Sequence, residues 1–142
     1  MADPEQLEII KKGVAVWNSW RQESGELRSG AILPALHIPD LSRADLRKMN
    51  LAGVNLSLVN LDGAILHDAN LDHANLSGSD LTRANLNGAT IRQAHLEYAD
   101  LKLAYLYNSI FNFSNLHGAN LSWADLYETG FRGASNHRRI CV

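Results

Sequence analysis

The sequence predicts an all-β solenoid preceded by a capping α-helix, and the main observation is a period of five residues. A mostly small residue lies two places before each repeating apolar residue, and Asn or Asp often fills the place between them. A helix would space apolar residues three and four apart and a strand two apart, so neither regular element explains the pattern. The nineteen apolar positions are Leu41, Leu46, Leu51, Leu56, Leu61, Leu66, Leu71, Leu76, Leu81, Leu86, Ile91, Leu96, Leu101, Leu106, Phe111, Leu116, Leu121, Leu126 and Phe131.

A short extended piece followed by a turn in every repeat accounts for this period. The apolar residue and the small residue before it then both point inward, and the turn restores the parity for the next repeat. Glycines such as Gly53 and Gly118 fall two places after the apolar residue. That is the third position of a turn beginning at the apolar residue, where a type II turn requires positive φ. Other occupants, such as Lys48 and Asn108, predict type I turns at the remaining corners. The predicted core ladder includes Leu61, Leu81, Leu101, Leu121, Phe111 and Phe131.

The runs ANLSG at residues 74–78 and ANLSW at 119–123 follow the pattern A-(D/N)-L-x-x. On these residues the sequence resembles the pentapeptide-repeat family, over about two thirds of the chain. The resemblance implies a right-handed quadrilateral β-helix with four repeats per coil. Residues twenty apart would then stack on one face.

The segment before the repeats predicts a cap for the first coil. Asp3 and Pro4 indicate an N-cap followed by proline at the first helical position, and a helix is expected from about residue 4 to residue 22. The run WNSWR at residues 17–21 resembles one that precedes the repeats in many bacterial, often cyanobacterial, family members. The residues predicted to cover the open coil are Leu7, Ile10, Val14 and Trp17. The predicted segments are a capping helix at 1–22, a linker leading into the first coil at 23–38, repeats at 39–133 and a C-terminal tail at 134–142.

Composition excludes several classes of function. The formal net charge is -2, whereas a protein that binds nucleic acid directly normally has a basic excess. No apolar run approaches 18 residues and no charged-then-apolar leader is present, so we expect a cytoplasmic protein without a membrane span. Cys141 is the only cysteine, which excludes an intrachain disulfide.

The sequence predicts no catalytic, cofactor or metal site. His67, His73, His95 and His117 fall on different faces of the expected coil and form no ligand pair. A rod of this kind offers no cleft in which paired carboxylates would be desolvated. We therefore expect that the protein is not an enzyme.

An acidic column raises a different alternative. Asp40, Asp80 and Asp100 share one face, and some members of the resembled family mimic duplex DNA and bind type II topoisomerases such as gyrase. The repeat region at 40–133 has ten acidic and seven basic side chains, which is a weak net charge for a DNA mimic. The competing interpretation is that these side chains hydrogen-bond to nearby backbone along the stack.

Large apolar residues, most of them aromatic, accumulate at outward positions in the C-terminal third. Stacking twenty apart predicts that five of them lie around one corner of the last two coils, which we call the aromatic corner: Leu103, Tyr105, Tyr107, Trp123 and Tyr127. A cluster rich in Tyr and Trp is typical of a protein-recognition surface. The same residues would also stiffen the sheet by packing across neighbouring coils.

The leading functional hypothesis is therefore a non-enzymatic scaffold or regulatory module that binds an unidentified protein partner. Pairing of two chains through the C-terminal coil is an additional prediction. A DNA mimic that binds gyrase and a structural spacer without a specific partner are the alternatives.

Overall fold

A ladder of parallel bridges organises the repeat region. The structure is a computed structural model that describes residues 1–25 and 38–135. Its bridges join residues twenty apart, from Asp40 with Asn60 to Asn115 with Ser135. Twenty residues are four repeats, so each coil has four faces, as expected. Each face contributes one bridging residue per coil, and no longer strand forms within the described ranges. The right-handed sense of the coil stays a prediction.

Three backbone hydrogen bonds join successive coils on each face. The Leu81 N–H donates to the Asp100 carbonyl at 2.7 Å, and the Asp100 N–H donates to the Ser79 carbonyl at 2.9 Å. At the following corner, the Arg83 N–H donates to the Lys102 carbonyl at 3.0 Å. This set recurs from face to face, so a very short extended piece is enough to keep its backbone groups paired.

Every corner is a turn with positive φ at its third residue. Thirteen non-glycine residues and six glycines occupy this position in the nineteen repeats. The prediction of type I turns at Lys48 and Asn108 is wrong, because their φ values are 59° and 54°. The reason is the ladder: the Lys48 N–H donates to the carbonyl of His67 at 2.9 Å. A type I turn would reverse the central peptide and point this N–H away from its acceptor.

The core is a stack of apolar side chains. Leu61, Leu81, Leu101 and Phe111 are fully buried, and Leu121 is nearly so. Phe131 lies in the last described coil, where it is partly buried and stacks on Phe111 with ring centroids 5.3 Å apart. The ladder continues to Ser135, two residues beyond the predicted end of the repeats.

Two helices, and not one, form the N-terminal cap. Helix α1 spans Pro4–Lys11 and helix α2 spans Val14–Gly25. The Asp3 carboxylate accepts from two backbone N–H groups of the first turn, which confirms the predicted N-cap. The single helix expected over residues 4–22 is interrupted at Gly13, whose φ of +113° lies far from helical values. Glycine adopts this conformation without a steric penalty, which lets α2 turn away from α1.

Side chains of α2 replace a missing coil on one face. The Asn55 N–H donates to the Asn18 Oδ1 at 2.8 Å, and the Trp17 Nε1–H donates to the Asn55 carbonyl at 2.7 Å. The Arg21 guanidinium donates to the Ser57 carbonyl at 2.8 Å. These backbone groups would otherwise pair with a preceding coil. The WNSWR run therefore acts as a side-chain substitute for a strand.

The chain start does the same for a second face. The Asp40 N–H donates to the Gln6 Oε1 at 2.7 Å, and the Asp3 N–H donates to the Asp40 carbonyl at 2.8 Å. The Ala2 N–H donates to the Ser42 carbonyl at 2.8 Å. Two edges of the first coil are thus closed by hydrogen bonds from the cap.

Apolar residues of the cap also close the top of the core. Ile10 and Trp17 are fully buried, and Leu7 and Val14 are partly buried against the core. Most of the predicted linker, residues 26–37, and most of the predicted tail, residues 136–142, lie outside the described residues. Neither helix in the described ranges has the length and apolar character to cross a bilayer.

Replacing Trp17 by Phe tests the cap. The substitution removes the donor to the Asn55 carbonyl, and an unpaired buried carbonyl costs about 1–3 kcal/mol in the free energy of unfolding. Trp20→Phe is the matched control, because Trp20 is only partly buried and contacts Trp17 through its ring. Urea unfolding monitored by circular dichroism measures both variants. Equal losses in the two variants would contradict this role for Trp17.

A pair of glycine substitutions tests corner packing. Gly118 and Gly53 have nearly the same φ, +72° and +71°, but a Cβ at Gly118 would lie 2.6 Å from the Tyr98 ring whereas one at Gly53 meets nothing within 4 Å. Both alanine variants bear the strain of positive φ. We expect Gly118→Ala to lose about 1 kcal/mol more in unfolding free energy than Gly53→Ala. A Tyr98→Ala background should remove that difference, and its persistence there would show that the clash is not the cause.

Candidate functional site

The aromatic corner lies on the last two coils and its side chains are exposed. Exposed fractions are 43% for Leu103, 52% for Tyr105, 42% for Tyr107, 77% for Trp123 and 67% for Tyr127. All five follow from the coil geometry, because their positions are corner or bridging positions that point away from the core. The structure thus presents a group of large apolar side chains to solvent.

Two of these residues form a stacked pair. The rings of Tyr107 and Tyr127 lie 5.9 Å apart with an interplanar angle of 5°. The Tyr107 N–H donates to the Asn87 Oδ1 at 2.9 Å, which fixes the backbone below the ring. The Tyr107 hydroxyl hydrogen-bonds to the Glu128 carboxylate, and this bond and the negative charge together raise the pKa of Tyr107.

The other three residues border a shallow hollow of ≈ 250 Å³. Leu103 and Trp123 are corner residues of successive coils, and Tyr105 is the bridging residue of the next face. The complete lining is Arg83, Leu103, Ala104, Tyr105, Trp123 and Asp125. The structure therefore divides the aromatic corner into a hollow and a neighbouring tyrosine stack.

Sequence reasoning missed two charged residues of this hollow, Arg83 and Asp125. Stacking twenty apart places Asp125 on Tyr105 through a bridge, and it places Arg83 one coil before Leu103. The positions of Arg83 and Asp125 could therefore have been predicted from the stacking of residues twenty apart. The prediction was built on large apolar side chains and so did not include these two charged ones.

The two charged residues differ in their electrostatic partners. The Arg83 guanidinium donates to the Asp62 Oδ1 from two nitrogens, at 2.6 Å and 3.0 Å. The Asp125 Oδ1 accepts from the Tyr127 N–H at 3.1 Å. Within the described residues no cation lies within ion-pair distance of Asp125. The positive charge of the hollow is thus neutralised by a neighbour, whereas no described residue neutralises the negative charge.

The acidic column has a structural role at its turns. The Asp80 Oδ1 accepts from the Thr82 N–H at 2.9 Å, and the Asp100 Oδ1 accepts from the Lys102 N–H at 3.0 Å. The Asn120 side-chain amide also donates to the Asp100 Oδ1, at 3.0 Å. These bonds favour the interpretation that Asp and Asn support the backbone along the stack.

Two of the histidines, His67 and His95, lie next to carboxylates at separate places. The His67 Nε2 lies 3.1 Å from the Asp68 carboxylate, and the His95 Nδ1 lies 3.4 Å from the Glu97 carboxylate. Glu97 also accepts hydrogen bonds from the Ser77 hydroxyl and the Asn115 amide. The described part of the chain holds no group of three or more His, Cys, Asp and Glu residues placed to hold a metal ion.

A second shallow hollow, of ≈ 430 Å³, lies on the outer side of the cap. The sequence predicts a single helix in this region, whose role is to cover the first coil, and it predicts no site on its outer surface. Its lining is Ile9, Ala15, Val16, Ser19, Trp20 and Glu23.

Comparison with known proteins identifies the repeats. The family model for pentapeptide repeats matches residues 40–78, 84–122 and 104–135, with eight copies, which is more than half of the chain. The chain belongs to the pentapeptide-repeat family. None of the curated proteins compared with it matches at a significant level.

Solved structures of other pentapeptide-repeat proteins are similar to it. HetL from the cyanobacterium Nostoc sp. strain PCC 7120, involved in heterocyst differentiation regulation, is 34% identical with a TM-score of 0.60. The match covers 70% of this chain and 49% of HetL, so the chain spans about half of HetL.

Two further solved structures match less closely in shape. A pentapeptide-repeat protein of the Arabidopsis thaliana thylakoid lumen is 30% identical with a TM-score of 0.41, over 67% of this chain and 59% of that protein. QnrB1, a plasmid-mediated fluoroquinolone resistance protein, is 18% identical with a TM-score of 0.44, over 70% of this chain and 61% of QnrB1.

The contact between Tyr107 and Glu128 predicts a pH dependence. A raised pKa means that the neutral hydroxyl is favoured in the folded state, so this contribution to stability is present below the ordinary tyrosine pKa of about 10 and is lost as the pH rises through the folded pKa. Glu128→Gln should lower the pKa of Tyr107. A pH titration of the ¹³C ring signals measures it, with Glu97→Gln as a distant control. An unchanged Tyr107 pKa in Glu128→Gln would show that the carboxylate is not responsible.

Proposed function

We propose that this pentapeptide-repeat protein is a non-enzymatic interaction module whose aromatic corner binds another protein. The observation that carries the proposal is the exposure of five large side chains on two adjacent coils. Aromatic residues of this kind dominate the binding energy of protein interfaces because they bury much area and lose little conformational freedom. A soluble surface rarely leaves such a group uncovered without a partner.

The backbone beneath the aromatic corner supports this role. The corner peptides at Leu103 and Asn108 donate to the next coil at 3.1 Å and 3.0 Å, and the same ladder runs through the described stack. A surface that is already ordered loses little entropy on binding. Rigid display therefore favours affinity without any movement of the rod.

A regulatory role is the finer part of the proposal. HetL is described as involved in heterocyst differentiation regulation, and this chain is 34% identical over half of HetL's length. We propose that this chain also has a regulatory role, and that it acts by binding a protein in the cytoplasm. Pairing of two chains through the C-terminal coil stays a prediction, supported by the partial exposure of Leu126 and Phe131.

The DNA-mimic alternative is less well supported. Three acidic side chains of the described repeats are paired with arginines: Asp45 with Arg47 at 2.6 Å, Asp62 with Arg83 at 2.6 Å and Asp72 with Arg92 at 3.5 Å. Pairing reduces the continuous negative field that a mimic of duplex DNA needs.

Affinity capture tests the proposal. Wild-type protein is compared in lysate of the source organism with a variant carrying Tyr105→Ser, Tyr107→Ser, Trp123→Ser and Tyr127→Ser. Loss of interface hot spots should reduce the captured partner by at least about tenfold. A Tyr98→Ser, Phe113→Ser variant is the control, since it removes exposed aromatic residues outside the aromatic corner.

Circular dichroism must show that both variants fold. Equal capture by wild type and the four-residue variant would contradict a binding role and favour the spacer alternative. Capture of a type II topoisomerase would favour the DNA-mimic alternative.

A further inference from the structure

We infer that the hollow beside Trp123 takes an arginine side chain of the partner protein. This inference rests on the proposed function and adds the chemistry of the partner to it. Three properties of the hollow carry it: its size, its aromatic and aliphatic walls, and the carboxylate of Asp125, which has no cationic partner among the described residues.

The size of the hollow suits one side chain. Its volume of ≈ 250 Å³ lies below the range of about 300–1,000 Å³ that small-molecule and cofactor sites occupy. It is also shallow, whereas such sites enclose most of their ligand. A single long side chain projecting from a protein surface fits these dimensions.

The walls select a side chain with an apolar stem and a flat polar end. Leu103 offers aliphatic surface for a methylene stem, and Tyr105 and Trp123 offer exposed ring faces. Arginine stacks its planar guanidinium on aromatic rings and is attracted by their negative faces. Trp123 is the strongest site for this attraction, because indole binds cations better than the other aromatic rings.

The charges select a cation. Arg83 is held by Asp62 through two hydrogen bonds, so its charge is neutralised. Asp125 is exposed and has no cationic partner within the described residues. Trp123 and Asp125 line the same hollow, so a guanidinium held there can offer two donors to this carboxylate, an arrangement that arginine makes better than lysine.

A peptide titration followed by NMR tests the inference. The probes are Ac-Gly-Arg-Gly-NH₂ and the same peptide with citrulline, which keeps the shape of arginine and lacks its charge. With ¹⁵N-labelled protein, the indole N–H signal of Trp123 should move with the arginine peptide, and the citrulline peptide should bind about fivefold to tenfold more weakly. The Trp17 indole signal is the internal reference, because its N–H is bonded to the Asn55 carbonyl.

Asp125→Asn supplies the matched variant. It keeps the acceptor for the Tyr127 N–H, as Asn85 does for the Asn87 N–H on the same face, so the fold should be retained. It should abolish the preference for arginine over citrulline. Asp80→Asn is the control, since Asp80 accepts the equivalent turn hydrogen bond on another face. It should leave the preference unchanged.

Several results would overturn the inference. These are equal binding of the two peptides, an unmoved Trp123 signal at saturating peptide, or a Trp123 signal that moves with protein concentration alone, which would assign the hollow to a second copy of the chain. If the four-residue variant loses the partner but Asp125→Asn captures it as wild type does, the inference fails and the proposed function stands. If capture is insensitive to the four-residue variant, the proposed function itself fails.

Discussion

The central peptide of each corner constrains the whole molecule. Its N–H and carbonyl point along the rod, because each must pair with the equivalent peptide of an adjacent coil. This alignment forces positive φ on the third corner residue, even where that residue is Leu103 or Trp123. A non-glycine residue there usually costs about 1–2 kcal/mol, and thirteen non-glycine residues occupy this position. Hydrogen bonds that run in continuous chains strengthen one another, which offsets part of that penalty.

The same ladder explains why the cap has its particular residues. Each coil pairs its backbone groups with the coil before it, and the first coil has no such neighbour. Its unpaired edges would be sites of aggregation. Trp17, Asn18 and Arg21 meet the groups that a preceding coil would have met. The helix α2 therefore closes the edge of the β-helix with side-chain donors and acceptors, which take the place of the backbone groups of a preceding coil. Apolar shape alone would close the core but would leave these groups without partners.

Features of the fold that local sequence determines could be predicted, and features that depend on contacts between distant residues could not. The period of five is written in local sequence, so the four-faced stack and the register of Tyr107 on Tyr127 could be derived from it. The type II geometry of Lys48 could not, because a ladder bond to the next coil decides it and no local preference does. The break at Gly13 likewise depends on how α2 packs against the first coil. The pairing of Arg83 with Asp62 crosses coils diagonally and depends on side-chain direction, which periodicity does not contain.

The hollows and projections on the surface of such a rod depend on the sizes of side chains at equivalent positions of successive coils, which form a column of residues twenty apart. Tyr98 lies over Gly118 and Phe113 lies over Gly133, so a bulky side chain is accommodated by the absence of one in the next coil. Leu103 has Trp123 in that place, so a large side chain follows another in this column. The space beside Leu103 and Trp123 is a hollow that is also lined by Tyr105 and the carboxylate of Asp125. A recognition surface can thus be built on a regular rod by changing side-chain size at one corner, with no change to the backbone.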